Sequence, residues 1–349
     1  MAGLSQVAWT WQIKDMRHLF LAAATAASLV IPAQAQKAAP IPSPAEIADA
    51  AKADEWIAIA PSDLLIMDLA PDAKGKPRRV VIQLMPAPFS QGWIGNIRKL
   101  AAAHWWDGTS VNRVQDNYAA QWGDATEKKA LPTGLAVVPE SEYVSSGIGY
   151  SYISGRLAKE SDKAVTAEEA AEQAIRAASG PKSDGKFTDN YAQFAGAVNG
   201  WVLAADTTGV WPVHCYGVVG VGRNMSPDTG SGAELYTVIG HAPRHLDRNI
   251  AVAGRVISGI EHLSSLPRGT GALGFYEDAA ERVEIISIRV ATELLASDQP
   301  RFEYLSTESD SFARYADARQ NRRDPFFIKP AGGADICNIP VPVRAVTAK

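Results

Sequence analysis

Cysteine is scarce in this chain: two occur in 349 residues, Cys215 and Cys337. That excludes a disulfide-dense scaffold of the small secreted kind. Two readings of the pair stay open: a single bridge in an oxidising compartment, tying the C-terminal segment to the main domain, or two buried unpaired thiols. An excess of positive charge is also missing, since 34 Lys and Arg face 38 Asp and Glu for a net charge of -4. Nucleic-acid binding calls for a basic face or stripe. The nearest candidate, Arg319, Arg322 and Arg323, is interleaved with Asp317, Asn321 and Asp324 as on an ordinary solvated face. No nucleic-acid partner is therefore expected. No internal repeat is visible, which sets aside solenoid and array architectures.

Several chemical motifs begin and do not finish. Gly220-Val221-Gly222 starts like a dinucleotide fingerprint, but Met225 stands where the third glycine belongs. Ser231 lies between Gly230 and Gly232 without the G-x-S-x-G elbow of a serine hydrolase. His241 and His245 are four apart, yet Pro243 between them argues against a shared helical face for a metal. No metal site and no cofactor are expected.

The N-terminus carries a positive signal. Met16-Arg17-His18, the apolar run from Leu19 to Ile31, and Ala33-Gln34-Ala35 have the three parts of a secretory signal peptide cleaved after Ala35. The run is too short for a membrane span of roughly 20 apolar residues. Residues 1–35 thus read as an over-called start plus a signal, with periplasmic residence and no stable membrane insertion after cleavage. Residues 36–61 read as a linker and a short helix from Pro44, with Ser43 and Glu46 forming a capping box. Asp63 to Leu69 and Arg79 to Leu84 read as a hairpin around the Pro71-to-Pro77 turn. Residues 90–104 place Trp93, Ile97 and Leu100 on one helical face. Much of 126–205 reads as an insertion, with an alanine-rich helix from Thr166 to Ser179. Tyr216 to Gly222, Leu235 to Ile239 and Val283 to Val290 read as strands, and 296–349 as a C-terminal extension. Many strands and few helices predict a mainly β, antiparallel barrel or sandwich.

Asp107-Gly108-Thr109-Ser110-Val111-Asn112-Arg113-Val114, then Tyr118-Ala119-Ala120-Gln121-Trp122-Gly123-Asp124, resembles the D/N-G-T-x-F-H-R-V and F-M-x-Q-G-G-D stretch of cyclophilins. The distance from arginine to glutamine is preserved. Upstream, Val80 to Leu84 and Gly95-Asn96-Ile97 look like the family's second strand and first helix. Downstream, Gly220 to Arg223, Gly232 to Thr237, and His245-Leu246-Asp247 with Ala251 to Val256 are similar to three further family blocks, in the family's order. The resemblance covers 62–292 and implies a closed eight-stranded antiparallel barrel capped by two helices, with a partly helical insertion, in a domain at 62–295.

It also implies a peptidyl-prolyl cis-trans isomerase acting on extended X-Pro segments of exported proteins. Rotation about the X-Pro amide must surrender resonance, over a barrier of about 18–20 kcal/mol for peptide bonds. A preorganised donor near the imide suffices to favour the twisted state, and arginine's rigid, charged fork suits that task. By the resemblance, Arg113 is that donor and Gln121 orients the peptide. Tyr118, Ala119, Gly222, Glu234, Leu235, Tyr236 and Leu246 line the substrate site. Taken singly, Arg113 reads as a surface or ion-paired arginine and the apolar residues as packing; their joint spacing is what points to a site. Departures mark the pocket: Asn112 replaces the family's histidine, Ala119 a methionine, Glu234 a glutamine, Leu235 and Ala253 aromatics, and Ile250 a histidine. Fewer aromatics predict weaker grip on the prolyl ring. Glu234 is expected either to pair with Arg113 or to select positively charged peptides. The rival readings are a non-catalytic proline-peptide-binding or chaperone module on the same scaffold, and an interaction scaffold using the insertion or tail.

Overall fold

Ser43 accepts from the Glu46 amide while the Glu46 carboxylate accepts from the Ser43 amide at 2.7 Å, so the capping box forms and starts α1 (Pro44–Asp49). The computed structural model describes residues 40–146 and 189–346. The expected signal peptide and the helix from Thr166 to Ser179 lie outside the described residues. After α1 come β1 (Trp56–Ala58), β2 (Leu64–Leu69), β3 (Arg78–Leu84), α2 (Gln91–Ala102), β4 (Ser110–Val114) and β5 (Ala119–Gly123). Beyond the undescribed segment follow β6 (Phe194–Val198), β7 (Trp201–Asp206), β8 (Gly209–Pro212), β9 (Val218–Val221), β10 (Leu235–Val238) and β11 (Val252–Ser258). The chain closes with α3 (Glu261–Ser264), β12 (Val283–Val290), β13 (Phe302–Leu305), α4 (Asp310–Gln320) and β14 (Val343–Ala345).

Eight strands close into a barrel in the order β10-β5-β4-β12-β2-β3-β11-β9, every pairing antiparallel. The expected barrel is present. The β2–β3 hairpin carries the apolar runs Leu64 to Met67 and Val80 to Ile82 because both of its faces are buried there. Leu65, Met67, Val80 and Ile82 enter the barrel core, while Leu64, Ile66 and Val81 pack outward against Ile59, Ala291 and Phe302. Helix α2 turns Trp93, Ile94, Ile97, Leu100 and Ala101 inward, the i, i+4, i+7 face read in the sequence with its neighbours added. The second cap, α3, is a single turn, with Leu263 fully buried.

Two tryptophans tie the cap to the site, and a third ties it to the segment after β5. Trp93 Nε1 donates to the Thr229 carbonyl at 3.0 Å, Trp106 Nε1 to Ala233 at 2.8 Å and Trp105 Nε1 to Ala130 at 3.0 Å. The first two hold the chain leading into β10, so truncating either would loosen that strand as well as open a cavity, at a cost of about 3–5 kcal/mol.

The first and last of the described segments are built into the fold. Strand β1 pairs with β13, which pairs with β14, and α1 shares a core with α4 through Ala48, Trp56, Phe312, Tyr315 and Ile339. The stretch read as linker and short helix therefore also carries a strand. The insertion's expected boundary at 205 falls inside β7, because β6, β7 and β8 form one antiparallel meander running to Pro212. Cys215 and Cys337 are bonded, with Cα atoms 5.1 Å apart. Of the two readings of the cysteines, the bridge is the one the structure has. It spans 122 residues of sequence and fastens the extension to the barrel.

Candidate functional site

Side chains alternate across a strand, and the β5–β10 pair sorts the candidate residues accordingly. In register, Leu235 faces Trp122, Tyr236 faces Gln121 and Val238 faces Ala119. Leu235, Ala120 and Trp122 belong to the barrel core, whereas Ala119, Tyr236 and Val238 form a separate outer cluster with Tyr118, Leu246 and Ile250. Leu235 is thus not a pocket residue: it is 1% exposed and points into the barrel, one residue out of phase with Tyr236. Ala253, the other position of an expected aromatic, is likewise in the barrel core. The remaining outward residues make an apolar floor beside Arg113.

Arg113 stands on β4 in register with Gln121 on β5. Its Nη1 donates to Gln121 Oε1 at 3.0 Å, its Nε to the Leu273 carbonyl at 2.7 Å, and its Nη2 to Gln115 Oε1. The Tyr118 and Phe275 rings flank the guanidinium with centroids 5.7 and 5.5 Å away. Half-burial pushes the Arg113 pKa down from its usual value, yet a guanidinium keeps its charge. Of the five N–H groups, the three bonds above leave one hydrogen on each terminal nitrogen. The result is a fork fixed in place with donors to spare.

Glu234 does not take up those donors. Its carboxylate accepts from the Asp124 amide at 2.8 Å and lies in a slot beside Gly123, where a Cβ would overlap it. Gly222 completes the slot: its amide donates to the Glu234 carbonyl at 2.8 Å, and a Cβ there would press on the Glu234 Cβ at 3.0 Å. Burial raises the Glu234 pKa, outweighing the hydrogen bonds from Gln121, the Asp124 amide and Asn112. Of the two expectations for Glu234, the pairing with Arg113 is not what the structure has. Gln121 stands between the two residues, its Oε1 accepting from Arg113 and its side chain helping to offset the burial of Glu234.

A second polar chain runs beneath the floor. Tyr236 Oη lies 3.0 Å from His214 Nε2, and His214 Nδ1 lies 2.9 Å from Asp247 Oδ1. Arg244 donates to Asp247 at 2.7 Å and to Asp189 at 2.6 Å. Burial works to raise the Asp247 pKa, but hydrogen bonds from His214 and Arg244 win and hold it below the usual carboxylate range. Burial lifts the Tyr236 phenol well above its ordinary value, so it stays protonated. Of these residues only Tyr236 was read from the sequence as a site residue. Asp247 sat in the His245-Leu246-Asp247 block, but His214, Arg244 and Asp189 are joined to it by contacts that no local pattern announces. The same holds for the loop of Leu273 and Phe275, 160 residues from Arg113. His241 and His245 are exposed, and His245 stacks on Tyr118 at 6.4 Å. Among the described residues, no group of three or more His, Cys, Asp or Glu is placed to hold a metal ion.

A model of the family described as cyclophilin type peptidyl-prolyl cis-trans isomerase/CLD matches residues 79–290. Among solved structures, the chain is similar to a cyclophilin from Hirschia baltica, 20% identical with a TM-score of 0.57, over 84% of this chain and 94% of that one. That likeness is one of fold. A cyclophilin type peptidyl-prolyl cis-trans isomerase from Cryptosporidium parvum, solved in the presence of the dipeptide Ala-Pro, matches at 10% identity and a TM-score of 0.33, over 64% of this chain and 98% of that one. No curated protein matches the sequence.

Proposed function

The chain belongs to the cyclophilin-type peptidyl-prolyl isomerase family, and from that premise we propose that it catalyses cis-trans isomerisation of X-Pro bonds in extended polypeptides, with Arg113 as the donor that acts on the turning amide. The observation that carries this reading is the Arg113 guanidinium, held by Leu273, Gln115 and Gln121, with unused N–H groups beside the floor of Tyr236, Ala119 and Leu246. A prolyl ring seated on that floor brings its imide within reach of the fork. Twisting the bond returns the nitrogen lone pair from resonance, and a donor waiting for it stabilises the twisted state more than the planar one. The donor is already oriented, so no reorganisation is needed at the moment of rotation. Gln121 holds the fork and faces the peptide.

The clients on this reading are exported proteins, and the residence is periplasmic. The signal-like segment at 1–35 supports that, and so does the Cys215–Cys337 bond, which suits an oxidising compartment. A second reading, proline-peptide binding without turnover, draws on the small Ala119 and on Ile250, which leave the floor with less aromatic contact. Exchange NMR on an X-Pro peptide separates the two. Isomerisation faster than in peptide alone, reduced about 100-fold by Arg113→Ala, is the expected outcome. Peptide binding with no exchange enhancement would establish the second reading instead.

A further inference from the structure

We propose that His214, which does not reach the groove, is a positioning residue that locks Tyr236 as a rigid floor for the prolyl ring. The inference rests on the reading of that groove as a prolyl site. Tyr236 is 6% exposed and anchored at both ends: its backbone lies in β10 between β5 and β9, and its hydroxyl meets His214. The two ring planes are nearly parallel, 9° apart with centroids 6.4 Å apart, and Nε2 meets Oη at 3.0 Å. Whichever of the two atoms donates, the bond fixes the far end of the tyrosine.

His214 cannot drift, because its ring and its backbone amide both bind Asp247 Oδ1, at 2.9 and 3.0 Å, and its side chain is wholly buried. Asp247 is held in turn by Arg244, and Arg244 by Asp189, with side chains 5%, 2% and 0% exposed. Gly220 completes the fit, since a Cβ there would overlap the Tyr236 hydroxyl. The tether has a specific use at this position. Ala119 on β5 offers one methyl group, and Tyr118, Val238, Leu246 and Ile250 complete the apolar cluster around the ring. The hydroxyl bond from below adds a directional tether that non-directional apolar contacts do not supply. Preorganising the floor lowers the ordering cost on binding, which appears as tighter grip on proline.

The test uses the full chain with His214→Leu, Tyr236→Phe and the pair combined, read by NMR titration with an Ala-Pro peptide, by the Tyr236 ring resonances and by the melting midpoint. His214→Leu is expected to weaken peptide affinity about fivefold, the order set by one buried hydrogen bond, and to change the Tyr236 ring signals. Tyr236→Phe, which removes one oxygen and keeps the barrel, is expected to weaken affinity by a similar factor. The combined variant is expected to lose no more than His214→Leu alone, since neither partner is left unsatisfied. The inference is overturned if both single variants bind the peptide as wild type does, or if His214→Leu lowers only the melting midpoint with the Tyr236 signals unmoved. Should wild type neither bind the peptide nor speed its exchange, the isomerase reading fails, and the ring signals alone decide whether His214 holds Tyr236.

Discussion

Two polar chains meet at the outer face of the barrel, and they are built to opposite rules. The upper one, Glu234–Gln121–Arg113, is half-buried and ends in a guanidinium with hydrogens left over. The lower one, Tyr236–His214–Asp247–Arg244–Asp189, has buried side chains joined to one another in series, with Arg244 Nη1 alone left without a hydrogen-bond partner among them. On the proposed reading, the first meets the peptide and the second holds the floor still. A low-dielectric setting strengthens both, but it penalises only the closed chain when a member is removed, because water cannot take the vacant place. Stability and activity should therefore divide between the two.

The sharpest way to break that division is Arg244→Ala. It strands the Asp189 and Asp247 carboxylates in the interior, and a loss of about 3–5 kcal/mol in urea unfolding is expected. A change within about 0.5 kcal/mol, the range of a surface substitution, would place the lower chain on a par with solvent-facing pairs and end the contrast. A smaller effect is expected in the upper chain from Glu234→Gln. Burial raises the folded pKa of Glu234 above its unfolded value near 4.5. Its contribution to stability is therefore full below about pH 4.5 and is lost as pH rises through the folded value. The glutamine variant removes that loss. It should be at least as stable as wild type at pH 7, with its advantage vanishing on acidification toward pH 4, as followed by denaturant midpoints. An advantage that instead grew in acid would mean that the carboxylate, and not its burial, supports the fold.

Much of this was legible in the sequence, and the failures have physical causes. The preserved interval from Arg113 to Gln121 singled out two residues that the structure pairs across β4 and β5, and the capping box, the α2 face and the β2–β3 hairpin follow from local chemistry. Leu235 was misplaced although a local rule was available: a period of two puts adjacent residues on opposite faces, so Leu235 and Tyr236 could not both face one groove. The role of Glu234 needed the slot formed by Gly123 and Gly222, which exists only once β5, β9 and β10 are side by side. The tertiary fold likewise brings Leu273 to Arg113 and Asp189 to Arg244, at separations of 160 and 55 residues. Those contacts were beyond any reading of neighbours along the chain.

The central claim is that a fixed fork, and not positive charge alone, acts on the prolyl amide. Arg113→Lys keeps the charge but loses the bonds to Leu273, Gln115 and Gln121 that depend on a planar guanidinium. Exchange NMR on an X-Pro peptide, with wild type and this variant at equal concentration, tests it directly. The account predicts a loss of at least about tenfold in the catalysed rate for the lysine variant, some 1.4 kcal/mol of transition-state stabilisation. A lysine variant as fast as wild type would contradict it.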